Sequence, residues 1–367
     1  MADERLRKLA QVLVHHSLEL KPGDRLLIQA PTTAFPLTQE VFREAIRTGA
    51  HVIAVETLQP ALAELLLREG SDEQLTYVSE LERSRVEQYT ARLYVWGEEN
   101  TRALAAVDPQ RLALYQRARQ ALVSRRLERE ASGEARWCGT LFPTHAYAQD
   151  AGMSLSAYEE FVFTAGMLDA PDPIAAWRRV YEEQQRIAAF LEQHDELHIV
   201  APGTDLRLRV GGRRWINCAG KQNFPDGEVF TGPIEDSLSG TICFSYPAFY
   251  EGHVVDGVCL TFEEGRVVKA TARSDQAFLE AMLDVDPGAR TVGEVAFGLN
   301  YNIQRFTRHT LFDEKIGGTM HMALGASLPE SGGRNRSTIH WDMVNDLREG
   351  RVYADGQLCY EHGRFLI

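Results

Sequence analysis

At 367 residues, 44% hydrophobic and 25% charged, the chain is long enough to bury the cores of about two domains. Its net charge of −13 argues against a general nucleic-acid binder, which needs clustered Lys and Arg to neutralise phosphate. No apolar run approaches the roughly 18 residues of a membrane span, and the opening MADERLRKLA carries no targeting-type apolar stretch, so a cytoplasmic setting without membrane contact is expected.

The first predicted element is an amphipathic helix with Leu6, Leu9, Val12 and Leu13 on one face. The turn KPGD at 21–24 leads into an apolar strand at 25–30. A helix at 37–49 ends on Gly49, and a second apolar strand follows at 51–57. Strand, helix and strand at this spacing make a βαβ unit, and hence a parallel sheet. The segments 92–97 and 136–144 read as further strands of that sheet, separated by a long, highly charged helix. Trp177, Val180, Tyr181, Ile187, Phe190 and Leu191 recur at helical spacing through 176–194, and core packing explains them.

Near residue 197 the texture changes to short strands joined by glycine turns, continuing to about 273. Helices are predicted at 274–285 and 293–300. The fold expected is an α/β N-terminal domain with a parallel sheet, at 1–195, plus a C-terminal α+β domain rich in mixed and antiparallel strands, at 196–367. The five cysteines, Cys138, Cys218, Cys243, Cys259 and Cys359, are odd in number and lack a CxxC pair. That pattern argues for a reducing compartment, and against a disulfide scaffold or a zinc knuckle.

Several catalytic signatures are missing: a GxSxG elbow, a Walker A loop, a GxGxxG opening a helix, and HExxH. The chemistry-bearing residues lie in the second half. NFPDGEVFTGP (223–233) holds Glu228 between turn residues that constrain the backbone on both sides. A carboxylate held that way suits a metal ligand, and equally a turn glutamate in solvent. VGEVAFGLN (292–300) places Glu294 at the start of the predicted helix, where the helix dipole alone would favour an acid. LFDEKIGGTMHMALGAS (311–327) carries Asp313, Glu314 and His321, and STIHWDMV (337–344) carries His340 and Asp342. On a strand, His340 and Asp342 share a face and Trp341 points the other way. Such a pair is half a metal site or an ordinary buried hydrogen bond. Imidazoles and carboxylates without thiolates suit Zn²⁺, Mn²⁺, Co²⁺ or Fe²⁺, and five or six of them exceed what one tetrahedral ion uses. The count points to two ions.

NFPDGEVFTGP, GEVAFGLN, FDEK…HMALGASLPE and STIHWDMV stand, in that order, as in the M29 metallo-aminopeptidases of the aminopeptidase T type, which the chain resembles over nearly its whole length. The resemblance implies an exopeptidase that removes N-terminal residues from peptides with two divalent ions (Zn, Co or Mn). It also implies a homodimer. Carried onto this sequence, it makes Glu228, Glu294, Glu314, His321, His340 and Asp342 the metal ligands, with Glu228 and Glu294 the candidates for general base. Glu314 stands further from its histidine than in the aminopeptidase T pattern. Leu328 replaces the tyrosine of the family's SYP, so Tyr246, Tyr250 and Tyr301 become candidates to supply its hydroxyl. Two rival readings follow: a related ring-cleaving dioxygenase using one Fe²⁺, and a non-catalytic, peptide-binding paralogue.

Overall fold

The computed structural model describes residues 3–367. Contacts divide it into two units, Met1–Ile174 with Gly220–Phe224, and Ala175–Ala219 with Pro225–Ile367. The long helix Pro173–Leu191 therefore falls almost wholly in the second unit, while the change of sequence texture comes after it.

The first unit is built on a parallel sheet. Its strands lie in the order His51–Leu58, Arg25–Pro31, Ala91–Trp96, Arg136–Leu141 and Asn223–Phe224. The helix Phe35–Arg47 makes the first crossover, and Gly49 follows its last turn with φ +82°. The buried Leu26, Ile28, Leu93 and Val95 explain why these segments read as apolar runs.

The second unit is dominated by antiparallel strands. One sheet of eight runs from Arg266–Thr271 to Arg364–Phe365, with Thr204–Arg209 and Glu196–Ala201 at its centre. The other has five strands in the order His340–Asp346, Thr319–Gly325, Val292–Gly298, Glu228–Thr231 and Ile216–Cys218. Both sheets feed one core. Leu197, Ile199, Leu206, Ile242 and Leu260 come from the first, and Val295, Phe297, Met320, Met322 and Trp341 from the second.

Two sequence expectations change here. The predicted helix at 293–300 is the strand Val292–Gly298, buried along its whole length. Its apolar run has no exposed face, so a helical period had nothing to mark. Cys243 and Cys259, expected to be reduced, form a disulfide. They are direct cross-strand partners, a relation their separation of 16 residues does not reveal.

Two small features hold the five-stranded sheet in place. Gly298 lies opposite both Glu228 and Thr319. A methyl on it would collide with the carbonyls of Ile316 and Glu314. Asp286 anchors the approach to the His340 strand. One of its oxygens accepts from Ser337 Oγ (2.9 Å), Thr338 N (2.7 Å) and Thr338 Oγ1 (2.8 Å), and the other from Gly288 N (2.9 Å). Those bonds, led by the Thr338 backbone N–H, bring its carboxyl down to about 2.

Replacing Gly298 by Ala should cost about 1–3 kcal/mol in a denaturant titration, because the crowded carbonyls must move. Asp286→Ala should lower Tm at neutral pH. The carboxylate's contribution is present above its unfolded value near 3.8 and disappears as pH falls through about 2. The Tm gap between wild type and variant should therefore close as pH is lowered across that window. A gap that persists at pH 1.5 would mean that Asp286 acts by packing.

Candidate metal centre

The register of the five-stranded sheet assembles the site. Glu294, Ala323 and Asp342 lie in one line across three strands. Phe230, Ala296, His321 and Val344 form the next line. Glu228, Gly298 and Thr319 form the third, and His340 stands opposite Gly325. Directly opposed residues, and residues two apart, share a face. Five of the six predicted ligands thus project from one surface, with Ala and Gly between them leaving room. Val229, Val295, Phe297, Met320, Met322, Leu324, Trp341 and Met343 alternate with them on the other face and fill the core. Slipping any strand by one residue would turn its donor into that core.

Glu314 reaches the group from outside the sheet, in the turn between the short helix Thr310–Asp313 and the His321 strand. Asp313 points elsewhere, accepting from the backbone N–H (2.6 Å) and hydroxyl (2.9 Å) of Thr307.

Two triads result. Glu228, Glu314 and His321 form one, and Glu294, His340 and Asp342 the other, each with donor atoms within 4.8 Å of one another. Glu294 joins them: its Oε1 lies 3.4 Å from His321 Nε2 and its Oε2 lies 3.3 Å from His340 Nε2. Both imidazoles are oriented from behind. His321 Nδ1 lies 3.2 Å from the Glu314 carbonyl oxygen, and His340 Nδ1 lies 2.8 Å from that of Ala326. With Nδ1 donating to a carbonyl, Nε2 is the nitrogen turned inward, toward Glu294, and would ligate an ion on giving up its proton. The site is deep at one end and open at the other. The His321 side chain is 1% exposed and that of Glu228 7%, against 32% for His340 and 19% for Asp342.

The electrostatics call for cations. Burial pushes the Glu228 carboxyl up, against the pull of Lys315 and His321. Burial also raises Asp342, with Glu314 adding to it. Burial alone would raise Glu294 too, but hydrogen bonds from His321 and His340 outweigh it and hold it near 2. The same carboxylates overcome burial at the imidazoles and lift His321 to about 9 and His340 to about 10. Two imidazoles and one ammonium therefore stand among five buried or half-buried acids, Glu228, Glu294, Glu314, Asp342 and Asp226. Glu228 Oε2 is buried and has no hydrogen-bond partner among the described residues. Buried carboxylates are costly without a partner. Oxygen and nitrogen donors grouped in threes, with one oxygen left over, fit divalent cations.

Lys315, Gln184 and Cys218 belong to this neighbourhood and had no role in the sequence reading. Lys315 Nζ lies 3.1 Å from Glu228 Oε1 and 2.6 Å from Glu314 Oε2. Its place directly after Glu314 was the available signal. Gln184, from the long helix, donates to the backbone carbonyls of Cys218 (2.9 Å) and Glu228 (3.0 Å) and so pins the edge of the sheet. Cys218 lies beside Asp226 and Glu228. Burial, followed by those two acids, pushes its thiol well up, and a thiol that keeps its proton is a poor ligand.

Of the three tyrosines considered in place of Leu328, Tyr250 packs on the core side of the His340 strand. Its hydroxyl takes a hydrogen bond from the His340 backbone, and its ring packs 5.5 Å from that of Trp341. Tyr301 Oη donates to the Gly363 carbonyl (3.0 Å), and Tyr246 Oη accepts from Arg348 (3.0 Å).

Known proteins resemble this chain along nearly its whole length. Aminopeptidase 2 of Geobacillus stearothermophilus is 32% identical, over 97% of this chain and 95% of its own length. Aminopeptidase T of Thermus thermophilus is 29% identical, over 96% and 95%. The solved structure of wild-type AmpT from Thermus thermophilus superposes with a TM-score of 0.85 at 28% identity, covering 99% of both chains. The profile of the thermophilic metalloprotease family, M29, matches residues 2–365. The chain belongs to that family.

Proposed function

We propose that the chain is a two-metal aminopeptidase, and that Glu228, Glu294, Glu314, His321, His340 and Asp342 hold the two ions. The observation that carries the reading is the pair of donor triads joined through Glu294 on one sheet face. Its relatives bear the name aminopeptidase. Four carboxylates are more than a single Fe²⁺ site of two histidines and one acid uses, which weighs against the dioxygenase reading. The reading extends to peptides with a free amino terminus as substrates, to Zn, Co or Mn as the ions, and to a homodimer; the Cys243–Cys259 bond removes the cysteine argument for a cytoplasmic setting.

When bound, the ions supply Lewis acidity that makes a water nucleophilic near neutral pH and polarises the scissile carbonyl. The chain's own groups do the rest. His340 and Asp342 form the solvent-facing side, where substrate arrives. Glu294 spans both triads, and Glu228 lies behind it at the buried end. These two carboxylates are placed to accept the water's proton and return it to the leaving amine.

Asp342→Ala should lower kcat/KM on leucyl p-nitroanilide by at least about 100-fold, with the circular dichroism spectrum unchanged. Full activity together with full metal content in that variant would remove Asp342 from the site. Chelation should abolish hydrolysis, and adding Zn²⁺, Co²⁺ or Mn²⁺ should restore it. Metal at about 100 times Kd should also stabilise the fold by about 2.7 kcal/mol, seen as a rise in Tm. One iron per chain, with oxygen uptake on dihydroxypyridine and no peptide cleavage, would favour the dioxygenase.

A further inference from the structure

Lys315 is the cation that the two-metal reading does not use. Its side chain is 2% exposed, and its ammonium bridges two of the three donors of one triad, Glu228 Oε1 at 3.1 Å and Glu314 Oε2 at 2.6 Å. Among the described residues, no lysine or arginine pairs with Glu294 or Asp342 of the other triad.

We propose that Lys315 makes the two ion positions unequal: Glu294, His340 and Asp342 take one divalent ion tightly, and Glu228, Glu314 and His321 take the second weakly. The inference rests on the two-metal reading above and adds an order of filling to it.

The argument is one of charge and geometry. Each triad offers two carboxylates and one imidazole, so as bare donor sets they are matched. The ammonium, in contact with two of the three donors, offsets one of the two negative charges at the Glu228 triad and none at the Glu294 triad. Asp226, beside Glu228, returns part of that charge and narrows the difference without removing the ammonium's direct repulsion. Charges a few ångströms apart in a buried site interact strongly and are little screened by salt. A divalent ion entering beside Lys315 meets weaker attraction from the acids and direct repulsion from the ammonium.

The ammonium is also well placed to remain there. It occupies one oxygen of Glu228 and leaves Oε2, 3.6 Å from His321 Nε2 and without a hydrogen-bond partner among the described residues, turned toward the second ion position. Lys315 and an ion can therefore share Glu228, one on each oxygen. Access follows the same order, since the tight position includes the half-buried His340 and Asp342 while the weak one lies behind it at the fully buried His321. At limiting metal the chain would hold one ion at the open position. Completion of the pair, and with it turnover, would then follow the free metal concentration.

Calorimetric titration of the chelator-stripped full chain with Co²⁺ tests this directly. Two classes of site are expected, with affinities separated by about tenfold or more. His340→Ala should remove the tight class, and His321→Ala should remove the weak class while leaving the tight one in place. Lys315→Met should tighten the weak class by about 10–100-fold and move the tight class less, while Lys315→Arg keeps the separation. Two indistinguishable classes in the wild type, or a weak class unmoved in Lys315→Met, would overturn the proposal. So would loss of the tight class in His321→Ala, a result that decides the order of filling even if Lys315→Met does not fold. A chain that binds two Co²⁺ equally would refute the inequality and leave the two-metal reading standing. A chain that binds no Co²⁺ would refute the two-metal reading itself.

Discussion

The repulsion among four carboxylates gathered on one side of an antiparallel sheet governs the second unit. Strand register brings Glu228, Glu294 and Asp342 together, and the turn before the His321 strand adds Glu314. Their own repulsion cannot hold them there. The opposite face does, through the apolar residues that alternate with the donors and pack into the shared core. Hydrophobic burial on one side thus offsets electrostatic cost on the other. The imidazoles and the Lys315 ammonium cover part of that cost, and the rest is a demand for cations.

The same arrangement accounts for the choice of small residues around the donors. Ala296, Ala323, Gly298 and Gly325 stand beside or opposite the clustered acids and histidines, where a larger side chain would fill the space between them. Each histidine is directed by a backbone carbonyl, of Glu314 in one case and Ala326 in the other. Ring orientation is therefore set by the chain path and does not need an acid behind the ring. Gln184 and Asp286 fix the two ends of the assembly, one at the Glu228 edge and the other at the entry to the His340 strand.

How much of this could be read in advance varied with the range of the interaction. The parallel sheet of the first unit was legible because strands such as 25–31 and 51–58, separated by an amphipathic helix, declare themselves locally. The pair His340 and Asp342 was legible as a shared face once a strand was assumed. Glu294 was assigned to the wrong element, because a segment buried along its whole length has no polar side to reveal its period. The Cys243–Cys259 bond was invisible because it depends on residues brought opposite one another by folding, and of the Lys315 bridge only the neighbouring Glu314 could be read, not Glu228.

Sequence alone determined the donor types, their order along the chain and the turn residues around them, and through the M29 motifs it determined the family. Those properties are local, carried by a few consecutive side chains. Tertiary structure decided which carboxylate joins the two histidines, which end of the site meets solvent, and which of the two triads a single buried ammonium touches. Those are distances between residues up to about a hundred positions apart, and only strand pairing and core packing set them.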